Sequence, residues 1–484
     1  MAKTIHWRDY ITINIFWLAL TTLSQTMTPL LLPLLTQQFV GEELKATYYG
    51  TLRLWSLMTA LLAQAFMGML SDRSTSQFGR RRPFIIVGTA GVIAIALLIG
   101  FSARLEGFEG YAILFGAVIL MMIFANTAHG ALQGLIPDLV PEERRGIFSG
   151  IKAILEVPIP VILVSLSIAR LISKGNIWGG LAILIGIWIV SAIITLFVQE
   201  TAQQPSKQKK SWKPLVNLFA MTGIFTATII LIGSGIKEIS AISKGMNKAA
   251  VIPIFAASGF GGMLAAVGFG VWASIKIGTG DELKNNPSFS WWVISRLAFL
   301  VGSTNIASFV IYFLQGRLGY YREQAAGPAA MLTMFVGIFI LFTTVPAGWL
   351  SDKYGKKKIL VASGIIGAAG AFLAIALPNL TTIYIGGIFI GAATGLFYAA
   401  SWALGTEIIP PKKAGRYLGI SNLAGAGAGA VGAYIGGPIA DGITAQTTGL
   451  PGAGYMVLFG IYGAMFLVSI PFLGAIKEKR DATF

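Results

Sequence analysis

Long stretches of this chain contain no charged side chain, and that fixes the solvent in which it can fold. Phe84 to Ala103, Pro214 to Ile236 and Ala249 to Ile275 hold no Asp, Glu, Lys or Arg. Each is at least as long as the roughly 20 residues that a helix needs to cross a bilayer. They cannot all be core helices of a globular fold. Composition agrees: 12% of the 484 residues are charged and 55% are hydrophobic, whereas a soluble domain carries about 25% charged residues. The sequence therefore predicts an all-α integral membrane protein.

Helices are expected near residues 10–36, 49–70, 84–103, 111–136, 147–172 and 177–198, which makes one six-helix half. The first of these is too long for a signal-peptide core. A polar linker, Thr201 to Lys213, follows, with Pro205, Lys207, Lys209, Lys210 and Lys213. Apolar segments near 215–236 and 250–275 come next, then a second polar stretch from Lys276 to Ser290. Six more helices fit at 291–316, 326–350, 359–377, 381–405, 417–440 and 453–475. The expected organisation is a bundle over 1–200, a linker with two inserted helices over 201–290 and a second bundle over 291–484, about fourteen helices in all.

Basic residues accumulate in cytoplasmic loops. With the N-terminus inside, cytoplasmic stretches hold 24 of the 36 Lys and Arg, outer loops 8 and spans 4. Both termini are then expected in the cytoplasm, and the cell (inner) membrane is the expected location. The pair at 215–275 must cross twice or not at all; two crossings are expected, and Lys237, Lys244 and Lys248 in the outer loop leave an amphipathic or re-entrant insert as the alternative. The net charge of +16 comes mostly from these inner loops. Attraction to anionic lipid headgroups accounts for it, so membrane lipids are expected partners and nucleic acid is not.

Two motifs occur twice. Gly68-Met-Leu-Ser71-Asp72-Arg73 leads to Gly79-Arg80-Arg81-Arg82, and Gly348-Trp-Leu-Ser351-Asp352-Lys353 leads to Gly355-Lys356-Lys357-Lys358. Farther on, Asp138-Leu-Val-Pro141 with Arg144, Arg145 and Gly146 matches Glu407-Ile-Ile-Pro410 with Lys412, Lys413 and Gly415. Matches in the same order indicate duplication of a six-helix unit. Asp72 and Asp352 end their helices beside basic clusters. Two readings are open: switchable contacts of a gate, with Arg73, Gly79, Arg80, Arg81, Arg82, Lys353, Gly355 and Lys356, or topology anchors alone.

These residues resemble the major facilitator superfamily, whose loop between helices two and three reads Gly-x-Leu-x-Asp-Arg followed by Gly-Arg-Arg. The resemblance covers about 410 residues. The insertion Ser74 to Gln77 in the first copy is similar to the sucrose-transporter and glycoside-pentoside-hexuronide symporter branch. It implies a major facilitator fold and proton- or cation-coupled transport of a sugar or glycoside by alternating access. Sodium-coupled members of that branch carry acidic residues in helix two, where this chain has Arg53 and no carboxylate. Protons are therefore the expected coupling partner, with a small solute as cargo. The oligomeric state is unread.

Ionisable groups within spans are costly and are functional suspects. Lys152 and Glu156 stand one helical turn apart, and an i, i+4 pair can neutralise itself on one helix face. Val157-Pro158-Ile159-Pro160 follows, bending the helix and leaving carbonyls that need partners. Such a carboxylate suits a proton site; a structural pair facing the bundle interior is the alternative. Asn126, His129 and Gln133 share one helix face. Imidazole titrates near neutral pH, so His129 joins Glu156 and Lys152 as a proton-coupling candidate; a neutral hydrogen-bonding histidine is the other reading. Asn126 and Gln133, with Arg53, Arg296 and Asn305, are substrate-lining candidates, or helix-to-helix ties. Trp17, Trp55, Tyr398 and Trp402 offer faces for a sugar ring, while Trp291 and Trp292 fit interfacial anchors. Gly425, Gly429, Gly432 and Gly436 form a ridge for close packing or hinging.

The chain contains no Cys and only His6 and His129, so neither a disulfide nor a metal constellation is expected. A nucleotide-binding Gly-x-x-x-x-Gly-Lys-Ser/Thr motif is absent. No cofactor is expected, and the chain is not read as an enzyme. Two other functions compete with sugar symport: a drug or metabolite efflux antiporter, favoured by fourteen helices, and a membrane assembly or lipid-handling factor.

Overall fold

Lipid leaves the backbone no external hydrogen-bond partners, so the apolar stretches close their bonds internally as helices. The computed structural model describes residues 6–200, 212–243, 245–279, 287–409, 414–447 and 449–477. The linker residues Lys207, Lys209 and Lys210, residues 280–286 of the second polar stretch, and Lys244, Lys412 and Lys413 lie outside them. Among the described residues there is no strand, and fourteen helices are long and apolar enough to cross a membrane.

In chain order these are α1 (Trp7–Val40), α2 (Lys45–Asp72), α3 (Arg82–Ser102), α4 (Gly107–Leu139), α5 (Glu142–Ser173) and α6 (Ile177–Leu196). Then come α7 (Lys213–Ile242), α8 (Lys248–Thr279), α9 (Pro287–Leu318), α10 (Ala326–Tyr354), α11 (Lys356–Ala376), α12 (Leu380–Ile408), α13 (Ala414–Gln446) and α14 (Ala453–Gly474). The expected number of helices is present. Both helices of the inserted pair, α7 and α8, are long enough to span.

Proline marks the irregular helices. Pro29 and Pro33 have no N–H to donate, and α1 widens to a π-helical turn over Met27–Leu31. In α5 the helix breaks at Val157, immediately before Pro158 and Pro160, and a second π-helical turn spans Val164–Ile168. Such turns relieve missing or strained i to i−4 bonds.

Two compact units emerge. The first comprises Met1–Phe39 and Thr59–Leu215. Its α3 and α4 approach closely: a Cβ on Gly88 would lie 2.6 Å from the Phe124 carbonyl, and one on Gly130 would lie 2.7 Å from the Gly68 amide of α2.

The second unit comprises Val40–Met58 and Val216–Phe484, so the beginning of α2 packs with α7 to α14. Here α11 and α12 approach through Gly370 and Gly386, each of whose Cβ would strike the other's carbonyl at 2.6–2.7 Å. Close approach of α3 to α4 and of α11 to α12 occurs at equivalent places in the two sequence halves. The centre of this unit is α13, whose spanning window is 89% buried. Three ridge glycines serve packing: Gly429 faces Leu57, Gly432 faces Asn305, and Gly436 faces Leu458 and Tyr462. A substituent on Gly425 would meet nothing within 4 Å. The inserted pair lies against other faces of α13, with Phe225 of α7 against Gly427 and Phe255 of α8 against Gly442. The insertion thus packs against α13 in the second unit, with about one-third of each spanning window buried.

Candidate functional site

In the first unit, the repeated loop closes around Arg81. Its Nη2 lies 2.7 Å from Asp72 and 3.0 Å from Asp138, and its Nη1 donates to Ser71 Oγ. The Arg81 backbone N–H donates to Glu200 Oε2 at 2.7 Å. Arg80 pairs with the same Asp138 and lies 3.9 Å from Asp72. Glycine makes the room: a Cβ on Gly134 would lie 2.1 Å from the Arg81 guanidinium. Gly79 has φ +103° and abuts the Glu200 side chain. Arg73 lies 4.1 Å over the Trp212 ring, while Arg82 opens α3 beside Pro83.

The second copy is wired differently. Lys356 pairs with Glu407, the residue that the second repeat aligns with Asp138, and Lys357 donates to the Ile476 carbonyl. Gly355 turns the chain between α10 and α11 with φ +92°. Asp352 is exposed and makes no ion pair among the described residues, while Lys353 lies 4.9 Å over Trp349. The sequence places Asp72 and Asp352 as equivalents; in the structure, the shared feature is the pairing of a basic loop with Asp138 or Glu407.

Three sequence candidates converge on Trp17 of α1. The Lys152 ammonium sits 3.8 Å over the Trp17 ring and 3.4 Å from Glu156 Oε2. His129 of α4 meets Trp17 edge-on at 5.2 Å. Its Nε2 lies 3.3 Å from the Gln64 amide nitrogen and 3.4 Å from that of Gln133. With both amides donating, that ring nitrogen accepts. Lys152 and Glu156 are about one-third exposed, at 29% and 36%, so protein does not fully enclose either charge. The break at Val157 ends the helix that carries the pair. Asn126 does not join the cluster; its amide donates to the Met122 carbonyl at 2.8 Å.

In the second unit, Arg296 of α9 is 6% exposed. Its guanidinium lies 4.8 Å from the Trp402 ring and 5.7 Å from the Trp292 ring, and Nη1 donates to Ser401 Oγ at 3.3 Å. Trp292 is not an exposed anchor: it is 1% exposed, and its indole N–H donates to the Ser401 carbonyl at 3.0 Å. Asn305 is fully buried, and its amide donates to the Ala428 carbonyl at 3.0 Å. That bond ties α9 to α13, a helix-to-helix role. Arg53 points toward the same helix pair: a Cβ on Gly429 would sit 3.8 Å from its Nη2 and 4.0 Å from Thr304 Oγ1.

Asp441 escaped the sequence reading. The helix expected to end at 440 continues to Gln446, so Asp441 belongs to α13 and is 5% exposed. Its carboxylate accepts from the Ala46 and Thr47 amides at the start of α2. Nearby Lys45 reaches Glu42 at 2.6 Å and Gln315 at 2.8 Å. A carboxylate immediately past an apolar run was the available signal.

Residues 292–483 match the family model of the Major Facilitator Superfamily. The sequence is 33% identical over 104 residues to sucrose transport protein SUC3 of Arabidopsis thaliana, 18% of this chain and 18% of the relative. It is 26% identical over 145 residues to Myo-inositol transporter 2 of Schizosaccharomyces pombe, 29% of this chain and 26% of the relative. A multidrug resistance protein B homolog of Mycobacterium tuberculosis is 29% identical over 161 residues, 31% of this chain and 26% of the relative. The matched segments thus span about a fifth to a quarter of these relatives' own length. In structure, the chain superposes on a D-xylose-proton symporter with TM-score 0.63 at 15% identity, covering 99% of this chain and 98% of the other. The protein has the major facilitator fold, resembles transporters of that superfamily, and is an integral multi-pass membrane protein.

Proposed function

We propose that the protein is a secondary active transporter that takes up a sugar-like solute by alternating access, driven by protons. The carrying observation is the cluster around Trp17: a Lys152–Glu156 pair next to a helix break, with His129 held by two amides. Carboxylates and imidazoles inside spans are the groups from which proton relays are built, and an incompletely buried pair at a helix break has room to change partners. The segment matches to a sucrose transport protein and an inositol transporter support a polyhydroxyl cargo. The basic loops support a cell-membrane orientation with both termini cytoplasmic. In that frame the Arg81 and Glu407 networks are gate contacts.

The test is uptake of a labelled sugar panel into proteoliposomes under an inward proton gradient. Accumulation that uncoupler abolishes is the expected result. Uptake indifferent to the gradient overturns proton coupling, and export of lipophilic drugs with no sugar flux favours the efflux function.

A further inference from the structure

Arg296 is a cation with no charge opposite it. It sits about 14 Å of helix rise into α9, inside a spanning segment. Among the described residues no carboxylate pairs with it, and the titratable group that faces it is the Tyr398 phenol. Nη1 donates to Ser401 Oγ, while Nε is buried without an acceptor. The two indoles offer cation–π contact. That contact recovers only a small part of the cost of taking a guanidinium out of water.

The cage is held firmly on one side by Trp292 and bounded on the other by a less buried Trp402. Trp292 is fixed by its bond to the Ser401 carbonyl and by Gly405, where a Cβ would lie 2.5 Å from its ring. Trp402 is 36% exposed. A guanidinium is a planar fork that matches a carboxylate with two parallel hydrogen bonds. A hydroxyl supplies an acceptor and leaves the charge unbalanced; an oxyanion supplies both.

We infer that Arg296, caged by Trp292 and Trp402, recognises an acidic group on the solute, so that the preferred cargo is a sugar-sized organic acid rather than a neutral sugar. This narrows, and rests on, the transport function proposed above. A purely structural Arg296, satisfied by Ser401 and the indoles, is the competing role.

The purified full-length protein in lipid nanodiscs is titrated with matched pairs, D-glucose against D-glucuronate and a methyl glucoside against its uronate. Binding is followed by tryptophan emission and by thermal shift. The acid of each pair is expected to bind at least about tenfold more tightly than its neutral partner. That preference in the unmodified protein needs no variant to fold. Arg296→Gln is expected to erase the preference, and Arg296→Lys, which keeps the charge and loses the fork, to retain part of it. Neutral partners binding as tightly as acids, no acid binding at all, or a folded Arg296→Gln protein with its preference intact each overturns the inference. Accumulation of neutral sugars without acid preference leaves the transport function standing and removes this one. Arg296-dependent acid binding with no flux does the reverse.

Discussion

The Asp441 carboxylate accepts a hydrogen bond from the Thr47 backbone N–H at 2.7 Å, so a side chain near the end of α13 caps the start of α2. Its other oxygen accepts from Ala46 N–H at 3.2 Å. The first four amides of a helix lack intrahelical partners, and negative charge there is favoured by the helix dipole. The cap comes from a distant helix, so it fixes tertiary position as well as helix start.

Asp441→Ala is therefore expected to destabilise the second unit by about 2 kcal/mol, the range of a lost cap and of a charged hydrogen bond. Asp441→Asn keeps an oxygen acceptor and loses the charge, so its thermal midpoint falls between wild type and alanine. The midpoints are read by thermal unfolding in detergent; equal midpoints for all three proteins remove the cap from the list of stabilising contacts.

Glycine permits the same docking. A Cβ on Gly50 would lie 2.2 Å from the Ala433 carbonyl oxygen, and one on Gly437 would lie 2.3 Å from that of Ala46. Backbone cannot retreat as a flexible side chain can, so Gly50→Ala or Gly437→Ala forces the helices apart. Each is expected to cost roughly 1–3 kcal/mol, visible as a lower unfolding midpoint and reduced folded yield. Gly425→Ala, which meets nothing within 4 Å, is the matched control and leaves the midpoint near wild type.

The helices were legible because lipid makes hydropathy decisive: a long, strongly apolar run has to be a helix, and fourteen such runs became fourteen helices. Ends were less legible. Asp441 lowers local hydropathy, yet α13 continues through it because the α2 amides satisfy the carboxylate. Helical spacing put Asn126, His129 and Gln133 on one face, but only the last two meet. Trp17 and Gln64, which complete that cluster, come from other helices, and spacing along one helix carries no information about them. Asp138 and Glu407 were visible as a repeat; their pairing with Arg81 and Lys356 depends on loop geometry that the repeat alone does not encode.

Arg81 joins Asp72, Asp138 and Ser71 through one guanidinium. Lysine is a single-point charge without that fork, so Arg81→Lys is expected to hold one carboxylate and release the other. Under the gate function, the consequence is faster exchange between conformations with weaker coupling, seen as uptake that is less concentrative at similar initial rate. Crosslinking or accessibility labelling of the α2–α3 loop checks the structural step directly. An unchanged labelling pattern counts against Arg81 as the hub.

Glu156 carries the sharpest functional prediction. Its carboxylate shares Lys152 with the Trp17 ring, so Glu156→Gln removes the titratable group while the ammonium retains its aromatic contact. Proton-driven accumulation is expected to be lost, because no titratable group remains at this position to carry the proton. Exchange of internal for external solute needs no net proton movement, so counterflow persists. Measured in proteoliposomes across pH, wild-type accumulation by Glu156→Gln eliminates this residue as the proton carrier and leaves His129 as the group to test next.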